Sequence, residues 1–153
     1  MWCTMLALHH VAICTADLNR SLEFWCGGMG LTIFFEQKFS GDWPTLFDAP
    51  SRDLRSMFLG DPAVPEAGIV ELVQFDEVDP APQGTVRPHN GFFLLSFERD
   101  VDTTLEALRG LGFAEDARRI DMPGRVGTVA MATLRAPDNV MIELIGPDQC
   151  PSR

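Results

Sequence analysis

The segment Ile142-Glu143-Leu144-Ile145 repeats the pattern of Val70-Glu71-Leu72-Val73 at an offset of 72, from residue 71 to residue 143. Both segments are short runs of aliphatic residues, which is typical of buried strands. The second residue of each run is a glutamate, and a buried carboxylate costs several kcal/mol unless it is paired or bound to a metal. The recurrence of so costly a residue at one position of two similar strands indicates an internal repeat.

The repeat extends upstream of both strands, and each copy is predicted as strand, helix, strand, strand, strand. An aspartate that can cap a helix precedes each helical stripe, and glycines follow it. The predicted strands are residues 6–14, 31–39, 54–59 and 69–75 in the first copy, and 92–97, 113–120, 128–134 and 140–145 in the second. Around the helices the copies match at an offset of 83: Asp17 with Asp100, Leu18 with Val101, and Leu22 with Leu105. At the end of the third strand they match at an offset of 75: Leu59 with Leu134, and Pro62 with Pro137.

These elements predict an α+β fold in which two tandem βαβββ modules, residues 6–76 and 91–146, form one domain over residues 1–153. Residues 77–90 are rich in proline and predict a connector between the modules. A chain of 153 residues is long enough to bury the core of such a domain.

The composition argues against binding to nucleic acid, because 22 acidic and only 12 basic residues give a formal net charge of -10. No segment has the length or flanking charges of a membrane span or a signal peptide. The four cysteines, Cys3, Cys14, Cys26 and Cys150, have no metal-binding or disulfide spacing, which predicts reduced thiols and a cytoplasmic protein. Cys26 is expected to be a buried structural thiol rather than a reactive one.

A histidine on the first strand is the predicted partner of the two glutamates. His9 and His10 are adjacent and therefore face opposite sides of a strand, and the position of His10 relative to Asp17 favours His10 as the inward residue. If a pseudo-twofold axis relates the modules, Glu71 and Glu143 converge on one cleft with His10. A divalent cation is a natural partner for such a set.

The segments Leu8-His9-His10-Val11-Ala12-Ile13 and Ala136-Pro137-Asp138-Asn139-Val140-Met141-Ile142-Glu143-Leu144-Ile145 resemble the opening and closing segments of the vicinal oxygen chelate superfamily. That superfamily includes glyoxalase I, bleomycin-resistance proteins and extradiol dioxygenases. The resemblance implies a curved mixed sheet around a cleft, a homodimer, and a small-molecule substrate with a carbonyl or acyl group. It also implies a divalent-metal-dependent lyase or isomerase, with Zn, Ni, Mn, Co or Fe as the metal.

The resemblance further implies ligands from the first and last strand of each module, which are His10, Glu71, Phe93 and Glu143. His10, Glu71 and Glu143 fit glyoxalase I, with Glu71 or Glu143 as the catalytic base. Phe93 departs from the pattern because phenylalanine cannot bind a metal, and His89 is an alternative donor nearby.

Apolar side chains are expected to bind the substrate, with packing in the core as the alternative for each of them. The segment 42–47 is expected to be a loop that acts as a lid or covers a dimer interface. Two other functions are open: a metal-free protein that sequesters its ligand, as bleomycin-resistance proteins do, and a dioxygenase, for which Phe93 removes a needed histidine. The predicted substrate-binding residues are Phe93, Trp43, Phe47, Met57 and Met131.

Overall fold

The computed structural model describes residues 8–65, 68–80, 88 and 90–149, and within them the chain forms two four-stranded sheets. The first sheet contains β1 (Val11–Cys14), β2 (Thr32–Ser40), β3 (Asp53–Gly60) and β4 (Val70–Phe75), and the second contains β5 (Leu95–Glu98), β6 (Arg118–Pro123), β7 (Thr128–Arg135) and β8 (Met141–Ile145). The helices are α1 (Leu18–Leu22), which continues into a π-helical segment (Glu23–Gly28), α2 (Trp43–Phe47) and α3 (Val101–Gly110).

The two sheets have the same topology, which confirms the prediction of two tandem modules. Their strand orders are β1-β4-β3-β2 and β5-β8-β7-β6. In each sheet the first and last strands of the module pair in parallel, and the other neighbours pair antiparallel. The glutamate-bearing strands β4 and β8 are therefore central strands with a partner on both sides.

The compact units of the chain differ from the modules read from its sequence. One unit contains the described residues of 1–18 and 30–79, and the other contains residues 19–29 with the described residues of 80–153. The π-helical segment belongs to the second unit, where Phe24 and Trp25 are fully buried and the Phe24 ring lies 5.2 Å from that of Phe113. Gly28 allows this packing, because a Cβ there would lie 2.1 Å from Cδ2 of Leu108.

Several predicted boundaries require correction. The first strand begins at Val11, and residues 6 and 7 lie outside the described part of the chain. The predicted loop over residues 42–47 contains α2, in which Pro44 occupies the first turn, where a helix does not need the missing N–H. That helix ends at Asp48, whose φ of 55° is left-handed. None of the helices among the described residues is long and apolar enough to cross a membrane.

The first sheet has one core face and one more open face, because successive strand residues point to opposite sides. The core face carries Ile13, Val70 and Leu72, all less than 9% exposed. On the open face Ala12, Glu71 and Phe58 lie side by side in register across three strands. The fold thus places Glu71 on the open face of a sheet whose other face is apolar core.

Candidate active site

Glu71 is held by two side chains of its own unit. Its side chain is 14% exposed. Ser56 Oγ donates a hydrogen bond to Glu71 Oε1 at 2.5 Å, and His10 Nε2 lies 3.0 Å from Glu71 Oε2. Each carboxylate oxygen therefore has one polar partner, as a largely buried carboxylate requires.

His10 lies just before β1 and links Glu71 to a second histidine. Its Nδ1 atom lies 2.7 Å from Nδ1 of His9, so one of these two nitrogens donates and the other accepts. The His10 ring also contacts Phe58, edge to face, with 5.2 Å between the ring centres. These contacts orient the imidazole so that Nε2 faces the carboxylate. His9, by contrast, is exposed.

His10 and Glu71 line a cavity of about 990 Å³ within the first unit. Trp43 and Phe47 of α2 also line it, and their rings are stacked with their centres 5.8 Å apart. The Trp43 indole lies over Gly41, where a Cβ would approach the ring to 2.9 Å. The further described residues around the cavity are Ala12, Cys14, Phe39, Asp48, Ala49, Pro50, Leu54, Val73, Phe75, Glu77, Val78 and Asp79.

The structure corrects one predicted substrate-binding residue. Met57 is 2% exposed and pairs with Leu72 on the core face, so it does not line the cavity. The side chain of the neighbouring residue, Ser56, lies on the open face of the sheet and contacts Glu71. Trp43 and Phe47 do lie with His10 and Glu71 around one cavity.

The other predicted site residues belong to the second unit. Glu143 is half-buried on β8 and pairs with Ser96 and Thr133. Met131 has the same strand parity as Thr133 and is also half-buried. Phe93 precedes β5 and is 41% exposed.

The strand register also corrects which residue of the second module corresponds to His10. Ala12 pairs with Glu71, and Ser96 pairs with Glu143, so the first strands correspond at an offset of 84, from residue 12 to residue 96. His10 therefore corresponds to Leu94, not to Phe93. Leucine cannot bind a metal either, so the departure from the glyoxalase I pattern remains. His89 lies outside the described residues.

His10 and Glu71 suit a divalent metal in chemistry. The 3.0 Å between Nε2 and Oε2 is a hydrogen-bond distance, and an imidazole nitrogen and a carboxylate oxygen this close are both donor types that divalent metals accept. Across the described ranges, however, no group of three or more His, Cys, Asp or Glu side chains is placed to hold a metal. These two residues thus fit as a pair of protein ligands, which leaves other positions for water or substrate.

Two cysteines fall within the described residues and differ in environment. Cys14 is exposed and lines the cavity, whereas Cys26 is half-buried in the π-helical segment. Burial raises the pKa of the Cys26 thiol, because desolvation disfavours the thiolate. Cys26 thus has the character expected of a structural thiol.

Ser56 and the acidic rim of the cavity are functional candidates that the sequence reasoning missed. Ser56 is fully buried yet carries no hydropathy signal, and only the pairing of β3 with β4 reveals that it contacts Glu71. Asp48, Glu77 and Asp79 are exposed carboxylates of turns and connectors, which resemble any solvated surface in the sequence.

Comparison with known proteins relates nearly the whole chain to one family. The family model described as the Glyoxalase/Bleomycin resistance protein/Dioxygenase superfamily matches residues 7–144. The chain is 32% identical to the lactoylglutathione lyase-like protein terB of Aspergillus terreus, over 91% of this chain and 74% of that protein. It is 27% identical to a probable lactoylglutathione lyase of Synechocystis, over 90% of this chain and 93% of that protein.

Solved structures show the same fold. A glyoxalase family protein from Bacillus cereus superposes with a TM-score of 0.69 at 17% identity, over 95% of this chain and 96% of that one. Glyoxalase I from Zea mays superposes with a TM-score of 0.63 at 24% identity, over 94% of this chain and 45% of that one.

Proposed function

Since the chain belongs to the Glyoxalase/Bleomycin resistance protein/Dioxygenase superfamily, we propose that it is a lyase or isomerase that moves a proton beside the carbonyl group of a small molecule. The observation that carries the proposal is the contact between His10 Nε2 and Glu71 Oε2, at 3.0 Å in the wall of a cavity. Two relatives are named as a lactoylglutathione lyase-like protein and a probable lactoylglutathione lyase, which supports the reaction class.

Glu71 is the base in this proposal. In a 2-hydroxyketone, Oε2 takes the proton from the carbon that carries the hydroxyl group and returns it to the carbonyl carbon. A second proton passes from the hydroxyl oxygen to the carbonyl oxygen, so the isomerisation balances without another reactant. Ser56 keeps the carboxylate in place through Oε1. Without a bound metal, His10 Nε2 can donate a hydrogen bond to Glu71 Oε2 and keep the carboxylate in place.

Proton exchange provides a direct test. A 2-hydroxyketone incubated with the protein in D₂O should lose its carbon-bound proton signal in the NMR spectrum. Glu71→Gln should slow this exchange by about 10²–10⁴-fold, which is the usual contribution of a general base. The control is Glu36→Gln, because Glu36 is an exposed carboxylate paired with Arg55 outside the cavity lining. Exchange that survives Glu71→Gln unchanged would refute the assignment.

The proposal includes a divalent metal bound by His10 and Glu71, with Zn, Ni, Mn, Co and Fe as the candidates. Such an ion would supply Lewis-acid stabilisation of an oxyanion when bound. That Glu143 provides a further ligand stays a prediction from the repeat. Elemental analysis of protein purified without chelator should find about one ion per chain, with loss in His10→Ala but not in His9→Ala. A wild-type protein without stoichiometric metal would remove this part of the proposal.

A protein that sequesters a ligand without turnover is the second candidate. The aromatic wall of the cavity favours it, since Phe39, Trp43, Phe47 and Phe75 offer stacking surface without any chemistry. This candidate predicts tight ligand binding that Glu71→Gln does not weaken, and no exchange of the ligand's carbon-bound protons in D₂O.

A dioxygenase is disfavoured. Iron in such enzymes commonly takes two histidines and a carboxylate, and Leu94 stands where the second module would provide a histidine.

We also propose a cytoplasmic homodimer, in keeping with the reduced thiols and the family resemblance. Light scattering coupled to size exclusion should give twice the chain mass of 16.9 kDa. A monomer at micromolar concentration would exclude the dimer without affecting the proposed chemistry.

A further inference from the structure

Carboxylates outnumber cationic groups around the cavity of the first unit. Its described lining contains the carboxylates of Asp48, Glu71, Glu77 and Asp79, neither lysine nor arginine, and one histidine, His10, which is paired with Glu71. A divalent ion bound by His10 and Glu71 would offset two of these negative charges and leave the lining negative overall. Walls of low polarity focus such a field into the cavity, so ions of the same sign are repelled at its mouth. The lining is therefore electrostatically unsuited to an anionic molecule.

The basic residues described in the same unit are committed elsewhere. Arg52 contacts Asp42, and Arg55 forms an ion pair with Glu36. Lys38 and Arg55 line a neighbouring cavity of about 580 Å³, which shares Phe39, Leu54 and Phe75 with the first. Lys38, Arg52 and Arg55 are thus all absent from the lining of the cavity that contains Glu71.

The apolar part of the wall offers flat aromatic surface. Trp43 and Phe47 are stacked with an angle of 16° between their rings, and Phe39 and Phe75 line the same cavity. Trp43 and Phe47 therefore cover one face of each other, and an aromatic face that stays open can bind a flat apolar group or attract a cation through the ring quadrupole. Aromatic faces bordered by carboxylates therefore favour a flat molecule that is neutral or positively charged.

We propose that the substrate of this site is an uncharged or cationic aromatic carbonyl compound rather than an anionic thiol adduct. This inference rests on the proposed function and narrows its substrate class. Glutathione carries two carboxylates and one ammonium group, so its adducts are anions at neutral pH. The lining would oppose such an adduct, although two relatives are named for lactoylglutathione.

Three probes on one scaffold differ in charge: the para-carboxamide, para-trimethylammonium and para-carboxylate derivatives of 2-hydroxyacetophenone. The neutral carboxamide has nearly the shape of the carboxylate, so this pair separates charge from size. S-hexylglutathione is the fourth probe. Dissociation constants come from quenching of tryptophan fluorescence, with Trp43→Phe as the control that identifies the reporter in the cavity. We expect the neutral and cationic probes to bind at least about tenfold more tightly than the carboxylate and S-hexylglutathione. Raising the salt from about 0.05 M to about 0.5 M should reduce this ratio.

A second comparison ties the preference to the lining. The double variant Glu77→Gln, Asp79→Asn should reduce the ratio of cation to carboxylate affinity at least about threefold. The matched control is Asp61→Asn, Asp76→Asn, which removes the same charge from residues outside this lining. Three results would each overturn the inference. The first is equal or tighter binding of the carboxylate or S-hexylglutathione, and the second is no binding of the neutral and cationic probes at millimolar concentration. The third is a ratio of cation to carboxylate affinity that the double variant leaves unchanged.

These outcomes are distinct from failure of the proposed function. If the probes bind in the expected order but no proton exchanges in D₂O, the substrate class stands and the reaction is wrong. If a glutathione adduct is converted with loss of activity in Glu71→Gln, the reaction stands and the substrate class is wrong.

Discussion

Replacing Ser56 with alanine removes the hydroxyl that donates to Glu71 while leaving the strand and its packing in place. Ser56 is fully buried, and its Oγ lies 2.5 Å from Glu71 Oε1. Water has little access to replace the donor, because the Glu71 side chain is only 14% exposed. Ser56→Ala should therefore leave one carboxylate oxygen without its partner.

The size of the effect follows from this geometry. A hydrogen bond to a charged group contributes about 1.5–3 kcal/mol, and the full burial of Ser56 beside a mostly buried carboxylate places this bond in that range. For a chain of 153 residues, about 2–4 °C of Tm per kcal/mol predicts that Ser56→Ala lowers Tm by about 3–12 °C. If Glu71 is the base and Ser56 positions it, kcat should fall about tenfold or more while KM changes little, since the loss concerns the reacting geometry.

A double-mutant cycle measures whether the two side chains act together. Urea unfolding of wild type, Ser56→Ala, Glu71→Leu and the double variant gives four free energies of unfolding. In the Glu71→Leu background the serine is itself a buried donor without an acceptor, so Ser56→Ala should be neutral or stabilising there. The expected coupling free energy is about 1.5–3 kcal/mol.

Ser21 provides the matched control. It is another fully buried serine that donates to a carboxylate, Asp138 Oδ2 at 2.9 Å, in the other unit. Ser21→Ala should lower stability by a comparable amount without coupling to Glu71. If Ser56→Ala has the same cost with and without the Glu71 carboxylate, the reasoning about the contact is wrong.

Three further predictions concern the cavity, a helix cap and the thiols. Gly41→Ala should displace the Trp43 indole, because the new Cβ would lie 2.9 Å from the ring, and should weaken ligand binding severalfold in the fluorescence titration. Asp100→Ala should lower Tm at pH 7 more than at pH 3. Hydrogen bonds from the side chain and the backbone of Thr103 lower the pKa of Asp100. The stabilisation by Asp100 is therefore present above the pKa of the unfolded state and is lost as the pH falls through the lower pKa of the folded state. Iodoacetamide at pH 8 should alkylate Cys14 before Cys26, whose pKa burial raises, as peptide mass spectrometry can measure.

Each of these predictions has a contrary result. Gly110→Ala is the control for the cavity, because nothing lies within 4 Å of its Cβ position, and equal loss of binding in both variants would contradict the role of Gly41. A loss of Tm in Asp100→Ala that is the same at both pH values would exclude the charged cap. Faster labelling of Cys26 would show that the thiol is not shielded.

The architecture could be predicted from the sequence because the repeat is encoded in residues whose roles are local. A helix-capping aspartate, an apolar stripe and an aliphatic strand each leave a periodic pattern. Glu71 and Glu143 stood out because a carboxylate within an aliphatic strand requires a specific explanation. The order of elements along the second copy then followed from that along the first, without any knowledge of distant contacts.

The details of the site could not be read in the same way, since they depend on pairing between strands. The helices correspond at an offset of 83 but the first strands at 84, so counting from the helix misplaced the equivalent of His10 by one residue, from Leu94 to Phe93. In β3, Leu54, Ser56 and Met57 are all less than 9% exposed, so hydrophobicity did not distinguish its two faces. A slip of one residue exchanges the faces of a strand, which is why Met57 was assigned to the cavity and Ser56 was overlooked.

The assignment of residues 19–29 to the second compact unit has a consequence for how the chain can be divided. A protease that cuts the connector after residue 79 would produce fragments that match the sequence repeat but not the folded units. The N-terminal fragment would keep Phe24 and Trp25, whose fully buried rings contact Phe113 and Phe97 of the C-terminal fragment. A cleaved chain should therefore stay together as a complex, and separately produced halves should gain structure only when they are mixed.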